Sequence, residues 1–152
     1  MIEKHLAIGK YISMLYRMNN SFFSRRLYEY GLRGGQQVFL LHISRHPGCS
    51  FQELAHAGHF DKATATRAVR KLEEEGYVRL LMDEEDKRVR HIYLTEEAQS
   101  LLDETWKSVE GWTDIITEGF TEEEKILEEH LLSRMAANAH NYTEAMRRKE
   151  EI

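Results

Sequence analysis

Hydrophobic positions recur at roughly helical spacing through residues 2–29, where Leu6, Ile8, Ile12, Leu15, Tyr16, Phe22, Phe23 and Leu27 predict one long helix. Gly31, Gly34 and Gly35 then break the pattern. A second helix is expected from Gln36 to about His46, built on Val38, Leu41 and their apolar neighbours, and Pro47-Gly48 stops it. Ser50-Phe51-Gln52-Glu53 is a capping-box pattern, in which the Ser hydroxyl takes the Glu53 amide and the Glu53 side chain reaches back. The helix it opens is short, because Gly58 interrupts it. Asp61 can cap a further helix to about Glu75, with Ala65, Ala68, Val69 and Leu72 as one apolar stripe. Gly76 stands where a left-handed C-terminal cap is expected.

The period changes after Gly76. Tyr77 to Met82 and His91 to Leu94 read as strands, and the polar segment 83–90 between them predicts a β-hairpin with a long charged tip. Thr95 is expected to cap a helix to about Glu118, and Thr121-Glu122-Glu123-Glu124 is a second capping box opening the last helix. Apolar stripes run along both: Leu101, Leu102, Val109, Trp112 and Ile116 on one, and Ile126, Leu127, Leu131 and Met135 on the other. The fold class is therefore mainly α with a small β-hairpin.

With 152 residues, 41% of them hydrophobic and 31% charged, the chain suits one domain, or one domain plus an oligomerisation element. A single cysteine, Cys49, excludes an internal disulfide framework and any multi-cysteine metal site. Glu3, Lys4 and Lys10 crowd the first ten residues, so no signal peptide is expected there. The most apolar run, Val38 to Leu41, is too short to span a bilayer, which leaves no membrane partner and a cytoplasmic location as the expectation.

Net charge is −5, which taken as a mean argues against a nucleic-acid partner. The distribution argues for one. Lys62, Arg67, Arg70 and Lys71 face only Asp61 within residues 61–72, and Lys87, Arg88 and Arg90 form a second basic segment without an acid. From residue 96 onward the balance is −9. Two short basic segments set against an acidic C-terminal third point to a polyanion.

Two helices joined by a glycine-containing turn, the second presenting small and basic residues opposite its apolar stripe, describe a helix-turn-helix. That face offers Ala63, Thr66, Arg67 and Arg70, flanked by Lys62, Thr64 and Lys71. Small side chains admit the helix to a major groove; Thr can bond base edges, and Arg can grip guanine through two hydrogen bonds. The basic hairpin that follows makes the unit a winged helix, whose tip suits the negative potential of a minor groove.

These residues resemble the multiple-antibiotic-resistance regulator (MarR) family of dimeric winged-helix transcription factors. The likeness rests on His46-Pro47-Gly48, Glu53-Leu54-Ala55, Asp61 through Arg67, Leu72 through Val78, Asp83 through Arg88, and Leu94-Thr95, in that order and spacing. The wing's Asp86 and Arg88 are its most diagnostic part, since in the family that acid positions the arginine for the minor groove. One departure is Leu80, which stands where family members usually carry arginine, with Arg79 beside it. The resemblance implies a winged helix-turn-helix lobe over residues 31–95. Flanking it would be a helical dimerisation region from residues 1–30 and 96–152. It further implies a pseudo-palindromic double-stranded operator, a homodimer, and repression relieved by a small, often aromatic, ligand. The residues assigned to DNA are Lys62, Ala63, Thr64, Thr66, Arg67, Arg70, Lys71, Asp86, Lys87, Arg88 and Arg90, and Arg17, Phe39 and His42 are candidates for the ligand.

Other features carry less. A peroxide-sensing branch of the family holds its cysteine in the N-terminal helix, so Cys49 is expected to be structural. His42 and His46 have i, i+4 spacing, and His56 and His59 are three apart, but neither pair comes with an acid or Cys at ligand spacing, so no metal is assigned. Aromatic residues Tyr11, Tyr16, Phe22, Phe23, Phe39, Trp106 and Trp112 are expected in core or dimer contacts ahead of an effector pocket. No HExxH, phosphate loop or GxSxG occurs, and Gly31-Leu32-Arg33-Gly34-Gly35 has the wrong spacing for a dinucleotide site, so neither an enzyme nor a cofactor is expected. Two alternatives stay open: a metal-regulated DNA-binding protein, and a winged helix that contacts protein.

Overall fold

The computed structural model describes residues 3–151. The predicted start at residue 2 and the packing assigned to Leu6 lie outside the described part. Helix α1 spans Glu3–Leu27 and passes into a 3-10 turn, Tyr28–Tyr30, closed by Gly31 in the left-handed region. Helix α2 follows at Gln36–Arg45, then strand β1 at Cys49–Ser50, helix α3 at Phe51–Ala57 and helix α4 at Lys62–Glu74. Strands β2 (Val78–Met82) and β3 (Arg90–Leu94) form the hairpin, and helices α5 (Gln99–Ile116) and α6 (Glu122–Glu150) complete the chain. Contacts divide it into two compact units, one running to Trp112 and one beginning at Thr113.

The core of the first unit collects one face from each helix. Leu27, Leu40, Ile43, Ala65, Val69, Leu72, Ile92 and Leu101 are fully buried, and Phe23, Leu32, Phe39, Leu54 and Val78 nearly so. On α4 the buried stripe is the predicted one. On α2 it is Phe39, Leu40 and Ile43 that turn inward, while Val38 is 43% exposed. Four consecutive apolar residues cannot report which face is inside; packing decides that. Phe22 stacks on Trp112 with ring centroids 4.8 Å apart.

The sheet corrects the two-stranded expectation. It has three strands in the order β1-β3-β2, all antiparallel, with Cys49 opposite Ile92 and Ser50 opposite His91 on one side of β3. Leu80 pairs Ile92, and Leu81 pairs His91, on the other. Burying Ile92 at the centre of this sheet sets the hairpin's register, because a slip by one residue would turn it to solvent.

Thr95 also departs from expectation. It precedes a 3-10 turn, Glu96–Ala98, and makes no side-chain cap there; its hydroxyl donates instead to the Gly76 carbonyl at 2.6 Å. The bond ties the end of α4 to the end of β3. Gly76 takes φ +81°, the conformation that its place after α4 requires. The Thr121 capping box forms as predicted, with Glu124 as its partner.

In the second unit the apolar stripe of α6 is not buried: Ile126, Leu127, Leu131, Leu132 and Met135 are all exposed. Ile8, Tyr11, Ile12, Leu15 and Tyr16 are likewise exposed on α1. No helix of the described residues is long and apolar enough to cross a membrane.

Candidate nucleic-acid interface

Helix α3 begins on the Ser50 capping box, with Glu53 N–H donating to Ser50 Oγ at 3.1 Å and Ser50 N–H donating to Glu53 Oε2 at 2.7 Å. The turn to α4 closes on Phe60, whose ring lies 4.5 Å from that of Phe39 and whose N–H donates to Ala55 O. Asp61 then caps α4, accepting both the Thr64 amide and the Thr64 hydroxyl at 2.7 Å. These bonds hold its carboxyl below the ordinary range. With Ala65, Ala68, Val69 and Leu72 buried, the other side of α4 turns Lys62, Ala63, Arg67 and Arg70 to solvent, with Thr64 and Thr66 half-buried.

The wing is built around two carboxylates. Asp83 Oδ1 accepts the N–H groups of Glu85 and Asp86, at 2.9 and 2.8 Å, which curls the chain after β2. Asp86 in turn accepts the Arg88 amide and both edges of its guanidinium, Nε at 3.1 Å and Nη2 at 3.2 Å. The Arg88 side chain is nonetheless 91% exposed: it is oriented from one side and open on the other. Its guanidinium, with the Arg88 amide, lowers the Asp86 pKa. Arg90 folds back, its Nη1 donating to the carbonyls of Lys87 and Val89.

These two parts share a cleft of about 350 Å³, walled by Lys62, Thr66 and Arg70 from α4 and by Arg88, Val89 and Arg90 from the wing. Four cations around one open groove fit a polyanionic ligand. The remaining sequence candidates lie elsewhere. Thr64 and Arg67 line a separate depression with Tyr16, Asn19 and Gly34, where Arg67 Nη2 is 3.3 Å from Thr64 Oγ1. Lys71 pairs with Glu75 at 2.7 Å, which raises its pKa, and sits beside Arg33 and Tyr28. Ala63 and Lys87 are exposed.

Ser50, Phe51 and Gln52 complete the cleft wall, and the sequence reading did not assign them to it. The Ser50 capping box located the start of α3 but not what it would face. Arg79, beside the departure at Leu80, lies with its guanidinium 5.0 Å from the centre of the Tyr93 ring, its cross-strand partner.

Among the ligand candidates, Phe39 and His42 line one cavity of about 290 Å³ with Val38, Leu41 and Phe60. Arg17 is exposed on α1 and donates to Ser13 Oγ at 2.7 Å. The His42 and His46 rings are 4.5 Å apart, and burial, with the neighbouring His46, lowers the His42 pKa. Among the described residues no group of three or more His, Cys, Asp or Glu could hold a metal ion. Cys49 is buried in β1, and burial raises its thiol pKa, which disfavours the reactive thiolate.

Residues 35–89 match the model of the MarR family. The chain is 32% identical over 127 residues to the uncharacterized HTH-type transcriptional regulator YybA of Bacillus subtilis, covering 84% of this chain and 85% of that one. Its backbone superposes on the MarR protein from Peptoclostridium difficile with a TM-score of 0.84 at 32% identity, covering 89% and 88% of the two chains. A putative MarR family regulator from Listeria monocytogenes, solved in complex with a 26mer DNA, shares the fold with a TM-score of 0.81 at 24% identity, covering 87% and 88%.

Proposed function

The chain belongs to the MarR family of transcriptional regulators, which bind DNA and are not enzymes, and on that premise we propose that it is a homodimeric, sequence-specific repressor released from DNA by a small ligand, of the often aromatic kind. The observation that carries the DNA-binding part is the shared cleft, in which Arg88 stands oriented by Asp86 and open to solvent while Lys62, Thr66 and Arg70 face it from α4. In this reading α4 enters a major groove and Arg88 the flanking minor groove, with Lys87 and Arg90 beside it. Ala63, Thr64, Thr66, Arg67 and Arg70 approach the bases, and Lys62 and Lys71 lie nearer the backbone. The Listeria protein of the same fold was solved with a 26mer DNA, which agrees with a DNA partner.

Dimerisation is supported by the exposed apolar residues of α1 and of α6, since an isolated chain gains nothing from presenting such stripes to water. A two-fold dimer would read a pseudo-palindrome with half-sites about one helical turn apart. Release by a ligand is supported by the cavity holding Phe39 and His42, which lies against α2 and α3, where an occupant would bear on the helix-turn-helix. Residues 1–30 and 96–152 would serve dimerisation and residues 31–95 DNA, in the cytoplasm.

The test is selection of bound duplexes from a random pool, followed by a salt titration of the best sequence. A recovered palindrome with a steep salt slope is expected. No enrichment over random DNA overturns the reading and favours a winged helix that contacts protein.

A further inference from the structure

His91 lies on β3 below the wing, and both of its ring nitrogens face oxygen atoms. Nδ1 is 2.8 Å from the Gly48 carbonyl oxygen in the α2–β1 turn, and Nε2 is 2.7 Å from Asp83 Oδ2. Neither oxygen belongs to a group that can donate when Asp83 is ionised, so both ring nitrogens must carry hydrogen for both bonds to exist. A neutral ring could make only one and would turn a lone pair on the other oxygen. From Asp83 the contacts continue outward without a break. Its Oδ1 accepts the Asp86 amide, and the Asp86 carboxylate grips Arg88. The chain of bonds thus runs from the α2–β1 turn, through His91, to the guanidinium at the wing tip.

We propose that His91, as the imidazolium, is a positioning residue that holds Asp83, and through it Asp86 and Arg88, in the DNA-binding arrangement of the wing, so that loss of its proton weakens DNA binding. The role rests on the DNA-binding reading above. The charged groups acting on the ring are Asp83, from the β2–β3 loop, and Glu53, from α3, both of which favour the cation. The α2–β1 turn contributes only the Gly48 carbonyl, and the partners of His91 on β1 and β2, Ser50 and Leu81, do not titrate. The Asp83 contact is the largest cause of a His91 pKa raised above the ordinary value of 6.5. The two contacts therefore hold the proton to higher pH than a free imidazole would keep it, and it is lost as pH rises. Coupling is reciprocal: DNA that needs the ordered wing must also raise the affinity of His91 for its proton.

Two measurements on the full-length protein test this. The first follows the ring nitrogens by ¹⁵N–¹H NMR, with the His91 ring assigned by through-bond correlation from its backbone resonances. Two ring N–H signals below pH 6.5 and a titration midpoint above 6.5 that drops in Asp83→Asn are expected. A ring with one N–H, or a midpoint at or below 6.5, overturns the proposal even if no variant folds.

The second measures fluorescence anisotropy of a labelled duplex, recovered by selection from a random pool, at fixed ionic strength between about pH 6 and about pH 9. Wild-type affinity should fall about tenfold across that range. His91→Lys, which keeps a cation there, should retain most of the low-pH affinity throughout, and His91→Gln should bind weakly with a flat profile. Wild type binding equally at all pH values, or His91→Gln keeping the wild-type profile, overturns the role and leaves the DNA-binding reading intact. Wild type binding no duplex at about pH 6 overturns both, while the NMR titration still reports whether the ring is doubly protonated.

Discussion

The carboxylate of Asp86 meets the guanidinium of Arg88 edge-on, with Oδ1 3.1 Å from Nε and Oδ2 3.2 Å from Nη2. An exposed pair of this kind adds little to stability, because solvent screens it and the arginine gives up rotamer freedom. Its use is geometric: the arginine is aimed before a ligand arrives, so less ordering is left for the binding step. Arg88→Ala should therefore weaken DNA binding across all sequences and lower the salt slope by about 1 per protomer. Asp86→Ala, which keeps the cation, should weaken binding while leaving the salt slope near the wild-type value. Parallel titrations at several salt concentrations separate the two.

Residues of α4 should behave differently from the wing. Thr66 donates its hydroxyl to the Lys62 carbonyl at 2.8 Å, which fixes its rotamer and leaves its oxygen lone pairs and methyl group to meet bases. Thr66→Ala or Arg67→Ala should relax sequence preference at one operator position, by about 1–3 kcal/mol of lost discrimination. Affinities for a panel of single-base operator variants check this. Uniform losses across the panel, like those expected for Arg88→Ala, would contradict the division of labour.

The exposed stripe of α6 predicts what a charge there would do. Leu131 is 43% exposed, and a carboxylate at that position costs an isolated chain almost nothing but would be desolvated in a dimer contact. Leu131→Glu should shift the protein from dimer to monomer in sedimentation velocity, with helix content by circular dichroism unchanged. A dimer that persists at the same concentration would remove α6 from the interface.

Stability should respond to pH through the same pair that supports the wing. Asp83 is held at about 2, chiefly by the Asp86 amide and then by His91, against an ordinary value of 3.8. Its contribution is present above 3.8 and is lost as pH falls through about 2. His91 is shifted upward from 6.5, so its contribution is complete below 6.5 and fades as pH rises through the folded-state value. The melting temperature of wild type relative to Asp83→Asn should therefore show a plateau between 3.8 and 6.5 that narrows on both sides. A difference independent of pH would show that Asp83 acts without its charge.

Much of this was legible in the chain itself, for local reasons. Ser50 with Glu53, Asp61 before Lys62, and Thr121 with Glu124 announce helix starts, because the groups that satisfy the first amides lie within a turn of them. Gly76 marks the end of α4 because an unstrained left-handed residue is needed there. Asp86 and Arg88 are two residues apart, so their pairing, too, is a short-range property. The α4 stripe was readable since small and polar residues separate its apolar positions.

What only the tertiary structure decided involves partners distant in sequence. Strand β1 has two residues, too few to show any period, and exists because β3 offers it an edge. The face of α2 that turns inward was hidden in a continuous apolar run. Thr95 had a good local cap to make and found the Gly76 carbonyl instead. His91 bonds to Gly48, 43 positions earlier, and to Asp83, eight positions earlier across a hairpin. Local pattern reports which elements form and where they end, since backbone capping and side-chain periodicity act over a few residues. Which polar groups then meet depends on how those elements pack, and at the base of this wing that packing gave one histidine two acceptors.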